Sequence, residues 1–173
     1  MKNSQVVFLI GFMGCGKTTL GKRLSNINQI EFADLDALIE KRQGKRLNQI
    51  FDEEGESGFR KIEADVLRWI DVNTPKVISV GGGTPCFFDN MTWMKEKGLV
   101  VYLQCSPLFL HSRLTQSQRQ RPLLKDVSPE GLLQFIQTKL KERDKFYLQA
   151  DVIIDANAIT VFDLKNAINH FGS

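Results

Sequence analysis

The sequence predicts an α/β domain organised around a parallel sheet, and three observations predict it. Short apolar runs recur at 5–11, 76–81, 98–105 and 151–155, each with the length and continuity of a strand buried on both faces. Segments with apolar residues at helical spacing separate them. The first run passes through a glycine-rich turn straight into a helical pattern, the order of a strand–loop–helix unit. With 173 residues, 42% of them hydrophobic and 25% charged, the chain suits one domain, 1–173, with a substantial core.

Taken in order, "QVVFLIG" (5–11) is the first strand, and Leu20, Leu24 and Ile27 mark a helix from about Gly16. "EFADLD" (31–36) reads as a strand edge, with a short helix near 37–43. Two helical patterns fill 47–71, the second carrying Phe59, Ile62, Val66 and Ile70 on one face. "KVISVG" and "GLVVYLQC" are further strands, separated by a helix near 87–97 and followed by another after Pro107. "DVIID" closes the set of strands, and a last helix starts near 160. The polar, basic stretch at 115–130 is too long for an ordinary connection and reads as a lid.

Composition narrows the function classes. A net charge of +3 is too small to favour nucleic acid, and basic "KRQGKR" at 41–46 reads as a solvated turn. Cys15, Cys86 and Cys105 have neither disulfide-framework nor zinc spacing, which suits a reducing cytoplasm. No apolar stretch reaches the roughly 20 residues that cross a bilayer. The run after Lys2 looks faintly like a secretion signal, but it continues into "GKTTLGKRL", which a nucleotide-binding loop explains better.

That loop is "GFMGCGKT", Gly11 to Thr18, a match to G-x-x-x-x-G-K-[ST] with a strand before it and a helix after it. In this pattern the backbone N–H groups of the loop and the helix N-terminus cradle phosphate oxygens. Lys17 would reach the β- and γ-phosphates, and the Thr18 hydroxyl would ligate Mg²⁺. ATP or a related nucleotide is therefore the expected ligand. A GTP-driven switch would need N-K-x-D and a D-x-x-G sensor segment, and neither is found. A small-molecule kinase needs a second pocket and a mobile element that excludes water. The 115–130 stretch, with Arg119 and Arg121, suits such a lid, since an arginine over the transferring phosphoryl contributes about 10³–10⁵ in rate.

Residues for the second pocket follow from periodicity. Ile136, Leu140, Arg143 and Tyr147 share one helical stripe, so Arg143 either snorkels outward or aims its charge into a site. Glu63 lies three residues after Arg60, a spacing ordinary for a surface ion pair. Two arginines on apolar-facing stripes nevertheless favour an anionic acceptor, because a guanidinium offers a carboxylate two parallel hydrogen bonds. "VISVGGGTP" ends in three glycines where many phosphate-loop enzymes place a metal-binding aspartate. Asp34 and Asp36 are the alternative source of carboxylates. Two apart on an extended segment, they would point the same way at the sheet edge where ligands gather. One could reach Mg²⁺ and the other accept a hydroxyl proton, unless Asp36 only caps the next helix.

In combination, "GFMGCGKTTLGK", "FADLD", "FRKIE", "VGGGT", "RPLL" and "KERDKFY" resemble the shikimate kinase family, in its order and spacing over nearly the whole chain. The resemblance implies transfer of the γ-phosphoryl of ATP to the 3-hydroxyl of shikimate. It implies a three-layer fold with strand order 2-3-1-4-5, a substrate-binding region at 35–71 and a lid at 115–126. Asp34 then takes the metal-associated position, with Thr18, and Asp36 the position of hydroxyl binding and proton removal. Arg60 and Arg143 match the carboxylate-binding arginines, with Glu63 orienting the substrate or Arg60. Gly82 matches a backbone contact to shikimate, where a side chain would fill the ring's space. Gly14, Cys15, Gly16, Lys17, Thr18 and Thr19 match the ATP-phosphate loop, Arg121 the lid arginine and Arg113 the residue against adenine. A monomer is expected, without nucleic acid or membrane as partner. Two rivals remain open: a kinase of another anionic polyol such as gluconate, and a regulator that binds nucleotide without catalysis.

Overall fold

Each apolar run meets a neighbour of the same direction, and the pairing builds one sheet. The computed structural model describes residues 6–117, 122–125 and 127–171. Its strands are β1 (Val7–Ile10), β2 (Glu31–Asp34), β3 (Lys76–Ser79), β4 (Leu99–Gln104) and β5 (Val152–Asp155). All pair in parallel in the order β2-β3-β1-β4-β5, as the family resemblance implies. Val7 is level with both Val77 and Leu99. The central strand β1 is wholly buried, whereas β5 at the edge alternates between half-buried and exposed residues.

The helices are α1 (Lys17–Asn28), α2 (Leu35–Gln43), α3 (Leu47–Trp69), α4 (Asn90–Lys97), α5 (Pro107–Thr115), α6 (Leu132–Tyr147) and α7 (Val161–Phe171). Helix α1 packs on β2, β3 and α7, while α4 meets β4 and α5 meets α6. The stripe on α6 is as its periodicity predicts, with Ile136, Leu140, Arg143 and Tyr147 its buried residues. The two helical patterns at 47–71 form α3, kinked at Gly55, where φ is 66°. Phe51 and Phe59 stack across that kink at 4.2 Å. The helix expected near 87–97 starts only at Asn90; a 3₁₀ turn at Thr84–Cys86 and an extended Phe87 precede it.

One expectation fails in an instructive way. Asp34 and Asp36 do not share an extended segment, because β2 stops at Asp34 and α2 begins at Leu35. Asp34, rather than Asp36, is the helix cap, accepting from the Ala37 N–H at 3.3 Å. Aspartate is among the best N-caps, and Leu35 is fully buried in the first turn, so the helix starts two residues early. The carboxyl ends of β1, β2 and β3 still bring the glycine loop, both aspartates and Gly81–Gly83 to one edge, where open α/β sheets bind ligands.

Candidate active site

Two cavities open at this edge and share a wall. The smaller, about 310 Å³, is lined by Gly14, Gly16, Lys17, Thr18, Thr19, Asp34 and Arg113, among others. The larger, about 510 Å³, is lined by Phe51, Phe59, Arg60, Glu63, Gly83 and Arg143, among others. Met13, Asp36, Gly81 and Gly82 line both. A group transferred from one cavity to the other would therefore pass Asp36.

In the smaller cavity the loop curls as a phosphate cradle requires. Gly16 caps α1 with φ at 99°, a left-handed value that a side chain would strain. Lys17 is buried, and its Nζ donates to the carbonyls of Gly11 at 2.7 Å and Phe12 at 3.0 Å. Thr18 Oγ1 donates to Asp34 Oδ2 at 2.8 Å, so a hydroxyl and a carboxylate stand together where the phosphates are expected. Cys15 lines neither cavity, and its buried thiol lies 3.7 Å from Lys17 Nζ. Arg113 reaches the cavity from α5, its guanidinium 5.5 Å from the Phe109 ring. Arg119 and Arg121 lie outside the described residues, as does the middle of the expected lid. Its described end, the turn at Pro122–Leu124, brings Leu123 to the larger cavity, and Lys125 pairs with Asp52 at 2.9 Å.

In the larger cavity the two arginines are buried. Arg60, 3% exposed, donates to Glu63 Oε2 at 2.9 Å and to Glu56 Oε1 at 3.0 Å. Its guanidinium carbon sits 4.4 Å from the Phe87 ring and 5.2 Å from Phe59. The surface ion pair expected of Arg60 and Glu63 is thus a core pair, with Glu63 fully buried. Arg143, 7% exposed, lies over Phe12 at 5.3 Å and does not snorkel to solvent. Arg60 Nε and Arg143 Nη1 are buried donors with no hydrogen-bond partner among the described residues. Buried N–H groups of a cation are costly to leave unpaired, and both line a cavity able to take an anion. Burial pushes the Glu63 carboxyl above the usual carboxylate range, opposed by the Arg60 guanidinium and the Thr84 hydroxyl and aided by Asp36.

The three glycines make room for these charged groups. A Cβ on Gly83 would lie 2.5 Å from Arg60 Nη2, and one on Gly81 would lie 2.7 Å from Glu63 Oε1. At Gly82 it would meet Arg143 Nη1 at 3.2 Å and the loop backbone at Gly11 and Met13, both at 3.3 Å. Gly82 also lines both cavities, so its lack of a side chain keeps the space between them open. The Gly82 carbonyl also accepts from the Tyr147 hydroxyl. Gly83→Ala should displace Arg60 and raise the KM of a carboxylate acceptor about tenfold, near the worth of one charge-assisted hydrogen bond. Steady-state kinetics with ATP varied separately checks this, and an unchanged acceptor KM contradicts it.

Met13, Phe51, Leu123 and Thr84 were not singled out by sequence reasoning. Phe51 carries a signal in hindsight, since it repeats the aromatic of Phe59 across the Gly55 kink. Thr84 and Met13 carry none beyond adjacency to the two glycine motifs.

A parallel sheet of this order, a phosphate cradle after its central strand and an arginine-lined cavity beside it define a phosphate-loop kinase of a small acceptor. The family profile described as shikimate kinase matches residues 13–168. A shikimate kinase of Parabacteroides distasonis is 44% identical over 166 residues, covering 94% of this chain and 96% of that protein. The structure of shikimate kinase from Acinetobacter baumannii in complex with shikimate is 35% identical, with a TM-score of 0.86 over 98% of this chain and 93% of that one. A gluconokinase from Sinorhizobium meliloti, 16% identical with a TM-score of 0.62 over 99% of this chain and 94% of that one, shares the fold alone. The chain belongs to the shikimate kinase family.

Proposed function

We propose that this protein transfers the γ-phosphoryl group of ATP to the 3-hydroxyl of shikimate, giving ADP and shikimate 3-phosphate for aromatic amino-acid biosynthesis. The observation that carries the reading is the pair of buried, partly unpaired guanidiniums of Arg60 and Arg143 in the cavity that shares Asp36 with the phosphate loop. They suit a planar carboxylate on a compact ring, and the Phe51 and Phe59 rings supply an apolar wall.

In this reading Gly14, Cys15, Gly16, Thr18 and Thr19 turn backbone donors toward the phosphates, and Lys17 exchanges its loop carbonyls for phosphate oxygens. Arg113 lies against adenine, and Arg121 covers the transferring group. Arg60 and Arg143 hold the acceptor's carboxylate, with Glu63 fixing Arg60. The hydroxyl opposite that carboxylate then falls beside Asp36. As the oxygen bonds to the γ-phosphorus and the bond to ADP breaks, its proton passes to the Asp36 carboxylate. Closure of the 115–126 lid would exclude water from the step.

The Thr18 hydroxyl and Asp34 carboxylate, 2.8 Å apart, fit Mg²⁺, which takes hard oxygen ligands and leaves most positions to phosphate and water. No group of three metal-ligating side chains occurs among the described residues, so the ion would be shared with the nucleotide. When bound it would neutralise charge on the β- and γ-phosphates. A monomer is part of the proposal, because both cavities are built within one chain, and so is a cytoplasmic location, in keeping with three free cysteines. Among the described residues no helix is long and apolar enough to cross a membrane, and no nucleic acid is proposed as partner.

Comparing acceptors with ATP tests the reading. Shikimate should be phosphorylated with a kcat/KM at least about 10³-fold above that for gluconate, because an unfilled buried polar site discriminates strongly. Greater activity on gluconate would replace the acceptor. ADP release with neither would favour a regulator.

A further inference from the structure

We propose that Thr84 is a positioning residue, whose hydroxyl holds the Glu63 carboxylate, and through it Arg60, in the geometry that receives the acceptor's carboxylate. This rests on the shikimate reading above and extends it to a residue with no assigned role.

Four residues form a closed ring between α3 and the segment after the glycines, through side chains and the Thr84 backbone carbonyl. Arg68 Nη1 donates to Asn90 Oδ1 at 2.7 Å, and Asn90 Nδ2 donates to the Thr84 carbonyl at 2.9 Å. Thr84 Oγ1 then donates to Glu63 Oε1 at 2.7 Å. Glu63 and Arg68 both belong to α3, which closes the ring. Thr84, Asn90 and Glu63 are each 0% exposed, so bulk solvent does not reach a partner left unpaired.

The two oxygens of Glu63 have separate duties. Oε2 accepts from Arg60, and Oε1 accepts from Thr84. A hydrogen bond to the ionised form favours that form. Around Glu63 stand Arg60 on its own helix, Asp36 from α2, Cys86 after the glycines and Arg143 from α6. Arg60 and the Thr84 hydroxyl favour its charge, while burial and Asp36 oppose it. Without the Thr84 hydroxyl, Oε1 would be a buried acceptor with no donor, which costs more than the bond is worth. The carboxyl would then take up a proton or rotate, and Arg60 would lose its fixed fork. The asparagine fixes the turn that carries Thr84, so the hydroxyl arrives at Glu63 already oriented.

The test is Thr84→Val, which keeps the shape and removes the donor, beside Thr84→Ser, which restores it. Carboxyl ¹³C NMR of the glutamate-labelled protein, with Glu63 assigned through Glu63→Gln, reads the titration directly and needs no substrate. Thr84→Val should move the Glu63 midpoint upward and raise the shikimate KM about tenfold, the worth of roughly one such bond, with the ATP KM within about twofold. Thr84→Ser should return both. If Thr84→Val does not fold, the same titration is read in Thr84→Ala. An unchanged midpoint, or a loss that Thr84→Ser does not reverse, overturns the proposal. Absence of shikimate turnover in the unaltered protein would instead overturn the acceptor assignment and leave the titration result standing.

Discussion

Arg143→Ala should raise the KM for shikimate about 100-fold or more while moving the KM for ATP by less than about threefold. Removing one partner of a desolvated charge pair costs about 2–5 kcal/mol, and Arg143 is 7% exposed with a buried Nη1 lacking any described partner. It lines the larger cavity and not the smaller, so the loss should fall on one substrate. Arg143→Lys is the informative companion. It keeps the charge but not the planar fork, and should recover only part of the affinity. Separate KM measurements, with thermal unfolding as a control for the α6 core, decide the matter. Parallel losses for both substrates would assign Arg143 to holding α6 against Phe12.

Asp36→Asn should lower kcat by about 10²–10⁴, the usual worth of a positioned proton acceptor, with a smaller change in either KM. The residue lines both cavities and stands at the start of α2, so its amide analogue keeps the shape and loses the basicity. Single-turnover rates with both substrates saturating would isolate the step. A kcat within about fivefold of the unaltered protein would mean that Asp36 orients the hydroxyl while the proton leaves by another route.

Much of this architecture is legible in the sequence because it rests on local pattern. The strand before "GFMGCGKT" and the helix after it follow from an apolar run and from glycine spacing. The α6 stripe of Ile136, Leu140, Arg143 and Tyr147 follows from helical periodicity alone. What a face meets depends on residues far away in the chain, and there local reading falters. Arg60 and Glu63 have the spacing of a surface pair, yet the glycines at 81–83, roughly twenty residues onward in the chain, open a space in which both are buried. Read as one strand edge, "FADLD" puts both aspartates on an extended segment. Capping by Asp34 ended the strand there. Thr84 follows the glycines as an unremarkable residue until the fold carries it to Glu63.

The glycine triplet also shows how a neutral motif serves a charged site. Each glycine gives up a side chain where an arginine or a glutamate needs the room. The triplet does the work of shaping the acceptor cavity, and the metal-ligating duty is proposed for Asp34 on the neighbouring strand.

A crystal structure of the protein with shikimate and a non-hydrolysable ATP analogue tests the central claim most directly. The account predicts the acceptor's carboxylate within about 3 Å of nitrogens from both Arg60 and Arg143, hydrogen-bond distance, with the 3-hydroxyl against Asp36 and facing the γ-phosphate. A carboxylate bound elsewhere, or a ring turned so that no hydroxyl faces the phosphate loop, would contradict it.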